Sequence, residues 1–231
     1  QSAIHTENVI KEHVAIMDKY DPEKRVGLIF DEWGMWVGEE PNSPARHLYQ
    51  QNTLRDALLA GVSLNIFNKH CDRVKMTTIA QMINVLQSMA LTDGAKMIVT
   101  PTYHVYEMYK VHQNARLLPC DVEHENVYKY KDERINSISV SASKSSKDGN
   151  VNITVCNMDP YKKSEVELRF EGFTASNIRV RVLTSDKMNA HNSFAKPEAV
   201  KPVMFEDFKV SGEKAEILMP AKSVVILSCN N

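Results

Sequence analysis

The sequence predicts an α/β segment followed by an antiparallel β-sandwich. Two observations carry this reading. The stretch Val26-Gly27-Leu28-Ile29-Phe30 is apolar without polar alternation and ends in Asp31-Glu32, the form of a parallel strand buried on both faces. Beyond Leu117-Leu118-Pro119 the pattern changes to period two with frequent turns, the form of antiparallel strands.

The front part alternates helix and strand. Residues 3–20 repeat Val9, Ile10, Val14, Met17 and Tyr20 at helical spacing, and Asp21-Pro22 stops the run. Lys24 to Phe30 follows as a short strand. A loop from Val37 to Ser43 leads to Ser43-Pro44, a pair suited to cap a helix with Pro in its first turn. The helix predicted over 45–68 carries Leu54, Ala57, Leu58, Gly61, Val62 and Ile66 on one stripe, with Gly61 marking a close backbone approach. Arg73 to Thr77 reads as a second short strand. Ile79, Met82, Ile83, Leu86, Met89 and Ala90 predict another helix face, and Thr92-Asp93-Gly94 a turn before the apolar segment Lys96 to Thr100. A last helix, Tyr103 to His112, places Val105, Met108, Tyr109 and His112 on one side. The order helix–strand–helix–strand–helix is the tail of an α/β fold.

In the rear part, Ile138, Val140 and Ala142 alternate with serines, and Val151, Ile153 and Val155 with Asn152 and Thr154. Turns fall at Lys147-Asp148-Gly149-Asn150 and Asn157-Met158-Asp159-Pro160. Further strands run through Val166, Leu168 and Phe170, then through Ile178, Val180 and Val182 with Arg179 and Arg181 outward. Ile217 and Met219 lead into the last strand, Ser223 to Cys229. Two domains are expected, 1–116 and 117–231, the second a sandwich of about 110 residues that folds by itself.

Bulk properties narrow the function. A hydrophobic content of 43% with 25% charged residues describes a globular chain, and 231 residues suffice for one large or two ordinary domains. A net charge of -1 gives no electrostatic case for nucleic acid or an anionic membrane surface. No apolar run approaches the ~20 residues of a membrane-spanning helix. Residue 1 is Gln and no apolar leader follows, so the chain reads as processed, trimmed or excised. Cys71, Cys120, Cys156 and Cys229 are far apart and make no metal-spaced cluster. They are expected to be free, mostly buried thiols, with a Cys156–Cys229 bridge between strands as the alternative.

The chemistry concentrates at Asp31-Glu32-Trp33-Gly34-Met35-Trp36, which holds the chain's two Trp residues. A carboxylate delivered by a buried strand beside aromatic surface suits a sugar-cleaving site, because sugar rings stack on aromatic faces. Side chains alternate along a strand, so one acid faces the substrate and the other the layer behind. The pattern leaves either assignment open. In the competing structural reading both acids end a strand and pair with Arg25, Lys69 or Arg73, and the Trp pair packs on the helix at 45–68.

These residues resemble the C-terminal half of an α-L-arabinofuranosidase of glycoside hydrolase family 51. The resemblance runs through Phe30 to Trp36, Leu48 to Leu58, Asn65 to Met76, Ile79 to Gln87 and Pro101 to Tyr109, in order. It implies the last two or so units of a (β/α)8 TIM barrel followed by a jelly-roll-like sandwich. It also implies a retaining glycosidase with Glu32 as nucleophile and Asp31 as a supporting residue. Gln81, in Ala80-Gln81-Met82-Ile83-Asn84-Val85, would contact the arabinose, and Trp36 would border the leaving group. Asn84 and His104 are expected in packing or capping roles. The implied partner is an arabinose-containing oligo- or polysaccharide, with no metal or organic cofactor. Family members are often oligomeric.

The sequence departs from that family in one respect. The family's acid/base Glu sits in an Asn-Glu pair well before the nucleophile, and here 31 residues precede Glu32 and contain no such pair. The 231 residues are therefore expected to be inactive alone. Two other readings compete: another barrel glycosidase, such as a β-xylosidase or endoglucanase, and a non-catalytic carbohydrate-binding sandwich. Residues 117–231 contain no Trp, which weighs against an aromatic binding platform.

Overall fold

The computed structural model describes residues 2–38, 44, 46–123, 127–130 and 133–230. Helix α1 (Ser2–Tyr20) buries Ala3 and Ile10 and packs Val14 against the following helix. Its end is tied down by Arg73, which is fully buried. The guanidinium donates to Asp21 Oδ2 (2.8 Å), to the carbonyls of Asp21 (2.8 Å) and Val26 (2.9 Å), and to the Asp18 carboxylate. A charge removed from water needs such partners. The Val26 N–H and the Arg73 guanidinium together hold the Asp21 carboxyl down to about 2.

This knot shortens the first strand. With both backbone groups of Val26 engaged by Asp21 and Arg73, strand β1 is Leu28–Phe30 and not the predicted 24–30. It pairs in parallel with β2 (Val74–Thr77). Burial on both faces is not met among the described residues, since Ile29 is 53% and Met76 51% exposed.

Helix α2 (Leu54–Lys69) starts at Leu54, not at residue 45. The expected cap Ser43 lies outside the described residues. The actual cap is Thr53, whose N–H and Oγ1 both donate to Asp56 Oδ2 at 2.9 Å. The next two amides, of Leu54 and Arg55, donate to the carbonyls of Ala190 (2.9 Å) and Met188 (3.1 Å).

The helix predicted over Ile79–Ala90 does not form. Asn84 and Gln87 have φ of 56° and 57°, a left-handed conformation that ends any helix there. Ile79, Leu86 and Met89 turn inward, while Met82 and Ile83 stay exposed. The segment continues into a hairpin of β3 (Ala90–Asp93) and β4 (Lys96–Val99), with the predicted turn between them. Thr100 caps helix α3 (Pro101–Tyr109) by accepting from the Tyr103 N–H, and a 3-10 turn at Lys110–His112 extends it.

The rear strands are β5 (Arg116–Leu118), β6 (Val127–Tyr130), β7 (Glu133–Asn136), β8 (Ile138–Lys144) and β9 (Val151–Asn157). They continue with β10 (Ser164–Arg169), β11 (Ser176–Leu183), β12 (Val203–Met204), β13 (Phe208–Ser211), β14 (Lys214–Met219) and β15 (Ser223–Asn230). Six form an antiparallel sheet in the order β12-β11-β15-β9-β8-β5, and three form a second in the order β10-β14-β13. A separate hairpin joins β6 to β7. Between the two larger sheets lies a core that includes Ile153, Val155, Val180, Ile217, Met219 and Leu227.

The six-stranded sheet is buried on its other face as well. There α2 and α3 cover Cys156, Leu183, Val224 and Ile226, which share one core with Leu54, Ala57, Val105 and Met108. All seven residues of β9 are buried as a result. Arg181, expected outward, forms a two-pronged bond with Glu107 of α3 at 2.8 and 3.4 Å, while Arg179 is exposed. Polar groups cross the same boundary. Thr154 Oγ1 donates to Asn65 Oδ1 (2.8 Å), the Tyr109 hydroxyl lies 3.5 Å from Cys156 Sγ, and the His112 ring lies between Ser143 and Thr154.

Gly61 is where helix and sheet come closest, as its place on the stripe suggested. A Cβ there would lie 2.8 Å from Cys156 Sγ and 3.3 Å from Tyr109 OH. Gly61→Ala is expected to destabilise the chain by about 1–3 kcal/mol through overpacking, measured as a lower urea midpoint. All four cysteines are free. Cys156 faces the helices and Cys229 the space between the sheets, so they do not bridge. Cys71 and Cys120 are exposed, contrary to the expected burial.

Candidate active site

The two parallel strands end side by side, and the chain leaving each builds the site. After β1 the backbone runs through Asp31, Glu32, Trp33, Gly34, Met35 and Trp36. After β2 it runs from Thr78, whose N–H donates to the Phe30 carbonyl (2.8 Å) and whose Oγ1 donates to the Asp31 carbonyl (2.5 Å). Gln81 follows three residues later on the same end.

Glu32 is exposed, and among the described residues neither it nor Asp31 forms an ion pair. The cations of the competing reading are engaged elsewhere. Arg73 binds Asp18 and Asp21, Lys69 binds Glu7, and Arg25 lies beside Asp21 and Glu23. The two Trp residues separate in role. Trp33 packs on Phe67 of α2 (centroids 5.3 Å) and stacks on Tyr106 of α3 (6.3 Å), as the packing alternative proposed for it. Trp36 is 66% exposed. Gln81 is exposed.

The loop after β1 is pinned from below by residues to which the sequence reading gave no role. Gln50 Nε2 donates to the Met35 carbonyl (2.8 Å), and Gln50 Oε1 accepts from the Val37 N–H (3.0 Å). Gln87 Nε2 donates to the same Met35 carbonyl (2.7 Å) and to Asp56 Oδ1 (3.1 Å). Asp56 is completely buried and gathers these donors with those of Thr53. Gly34 has φ +137°, and a Cβ there would meet Gln87 Cγ at 2.6 Å, so glycine is required where the loop crosses this network. The one signal in the sequence was Thr53-x-x-Asp56, a capping box, which locates the helix start and with it the Asp.

Asn84 serves the turn: its side chain accepts from the Thr92 N–H (2.8 Å) and donates to Thr92 Oγ1 (2.9 Å). His104 is half-buried against Tyr103, and burial lowers its pKa. Burial raises that of Tyr106. Among the described residues no group of three or more His, Cys, Asp or Glu could hold a metal ion. Among the described residues no helix is long and apolar enough to cross a membrane.

Comparison with known proteins gives this arrangement a family. The family model of the α-L-arabinofuranosidase C-terminal domain matches residues 31–223. The chain belongs to that family. The chain is 44% identical over 224 residues to an intracellular exo-α-L-arabinofuranosidase of Bacteroides ovatus, covering 97% of this chain and 43% of that protein. It is also similar to the crystal structure of the GH51 arabinofuranosidase from Xanthomonas axonopodis pv. citri, with 41% identity, a TM-score of 0.95, and coverage of 99% of this chain and 46% of the other. The fold alone is shared with an α-L-arabinofuranosidase from Thermotoga maritima solved with arabinose, at 22% identity and a TM-score of 0.78. The chain thus spans less than half the length of these relatives.

Proposed function

We propose that this chain carries the nucleophile side of a retaining α-L-arabinofuranosidase, in which residues 1–116 contribute to the catalytic barrel and 117–231 form the accompanying sandwich. The observation that carries the reading is an exposed Glu32, without an ion pair among the described residues, at the C-terminal end of a parallel strand, where barrel enzymes keep their functional groups. Membership of the family supports an arabinose-containing sugar, which we take to be terminal α-L-arabinofuranosyl residues of arabinan, arabinoxylan or their oligosaccharides.

In this mechanism the Glu32 carboxylate attacks the anomeric carbon, and the glycosidic oxygen leaves with the bonding pair and a proton from a second carboxylic acid. The glycosyl–Glu32 ester is then opened by water, which gives its proton to that second carboxylate. The two groups must stand ~5–5.5 Å apart. We assign the second carboxyl to no residue of these 231. Trp36 borders the departing group and Gln81 holds the arabinose.

The test joins the front half of the Xanthomonas enzyme to Gln1 of this chain. The joined protein is expected to release 4-nitrophenol from 4-nitrophenyl α-L-arabinofuranoside, and the 231-residue chain alone to release none. A folded joined protein without activity, or an active 231-residue chain, would count against the reading.

A further inference from the structure

We propose that the sandwich positions the loop bearing Glu32, acting through the first turn of α2. The connection is made of hydrogen bonds on either side of the first turn of α2, joined by the backbone from Leu54 to Asp56. The carbonyls of Met188 and Ala190, on the loop after β11, hold the first free amides of α2. Those amides have no partner inside the helix, so whatever accepts from them fixes where the helix begins. One turn in, Asp56 sits with no exposure to solvent and accepts from Gln87 Nε2 at 3.1 Å and, more loosely, from Gln50 Nε2 at 3.4 Å. The two Gln side chains in turn hold the Met35 carbonyl and the Val37 N–H, on the loop just beyond Glu32.

The chemistry fits a positioning role. An aspartate accepts only, so it orients both Gln amides with their nitrogens inward. That leaves Gln50 Oε1 directed at Val37, and both nitrogens free to share the Met35 carbonyl. A loop with no regular structure thereby receives fixed contacts at two backbone groups. The anchoring loop is itself clamped. Asn192 is buried, donates to the carbonyls of Val99 and Val200 (both 3.0 Å) and accepts from the Val200 N–H (2.7 Å). Asp56, Gln50 and Gln87 are thus positioning residues. The purpose given to the loop rests on the reading of Glu32 as nucleophile, but its mechanical coupling does not.

Contiguous contacts become a pathway only when coupling is measured. The readout is amide hydrogen exchange at Val37 in the 231-residue chain. Asp56→Asn and Asn192→Ala are each expected to speed it roughly tenfold, the effect of losing one ordinary hydrogen bond. Val180→Ala, in the core between the sheets, should lower the melting temperature and leave Val37 unchanged. If Asp56→Asn does not fold, Gln87→Met replaces it, since Gln87 does not touch the Val37 amide. Unchanged exchange at Val37 in either the Asp56 (or Gln87) arm or the Asn192 arm overturns the proposal. If hydrolysis by the joined protein survives Glu32→Gln, the nucleophile reading falls and the exchange result stands on its own.

Discussion

Glu32→Gln in the protein joined to the Xanthomonas front half is expected to lower turnover on the order of 10³-fold or more, the scale of removing a group that bonds to the reacting atom. Gln is close in shape to Glu and keeps the loop, so KM should change little beside kcat. Asp31→Asn should cost far less. The contact from Asp31 to Thr78 is made by its backbone carbonyl, which the substitution preserves. The retaining mechanism adds a sharper readout. In Glu32→Ala a small anion such as azide can enter the vacated space and attack the anomeric carbon once, the glycosidic oxygen leaving with the bonding pair, to give a glycosyl azide of inverted configuration. Near-wild-type turnover in Glu32→Gln, or a larger loss in Asp31→Asn, would reverse the assignment of the two acids.

The second large effect is on stability against pH. His112 sits between the helical layer and the six-stranded sheet with Nδ1 2.7 Å from Ser143 Oγ and Nε2 3.1 Å from Thr154 Oγ1. Thr154 donates its own proton to Asn65, so its oxygen accepts from His112 Nε2–H, and Nδ1 accepts from Ser143. Both ring nitrogens are satisfied with the imidazole neutral. Burial pushes its pKa down to about 4 from an ordinary 6.5. The folded form therefore resists a proton that the unfolded chain accepts, and stability is lost as pH falls from 6.5 towards 4. The loss amounts to about 3 kcal/mol over that window. It should appear as a falling urea midpoint between pH 7 and 4. In His112→Gln, which keeps one donor and one acceptor, most of that contribution should vanish. His104, also lowered by burial, contributes in the same direction and stays in both proteins. An identical pH slope in the variant would mean that His112 is not held neutral.

The elements readable in the sequence were those whose pattern and burial agree. β8, β9, β11 and β15 alternate or run apolar, and they form the sheet between the other layers. The front part was less legible because side chains there override local preference. Ile79 to Ala90 has helical spacing, yet its Gln87 is drawn inward by Asp56 and the Met35 carbonyl, with a left-handed backbone as the consequence. The start of α2 was misread because Ser43-Pro44 has the form of a cap, while the bonds that fix the helix come from Met188 and Ala190, far along the chain. Similarly, Lys24 to Val26 reads as strand and is held in a bend by Arg73. At the site, Asp31, Glu32 and Trp36 stood out as an abrupt change from apolar to acidic and aromatic. The buried Gln50, Asp56 and Gln87 did not, since nothing in composition separates an amide that holds a loop from one that faces water.

The burial of β9 on both faces has a practical corollary. A sheet covered on each side has no exterior of its own, so dividing the chain where its sequence changes texture would turn an interior into a surface. The seam that matters for exchanging parts between such enzymes therefore does not run through Leu117.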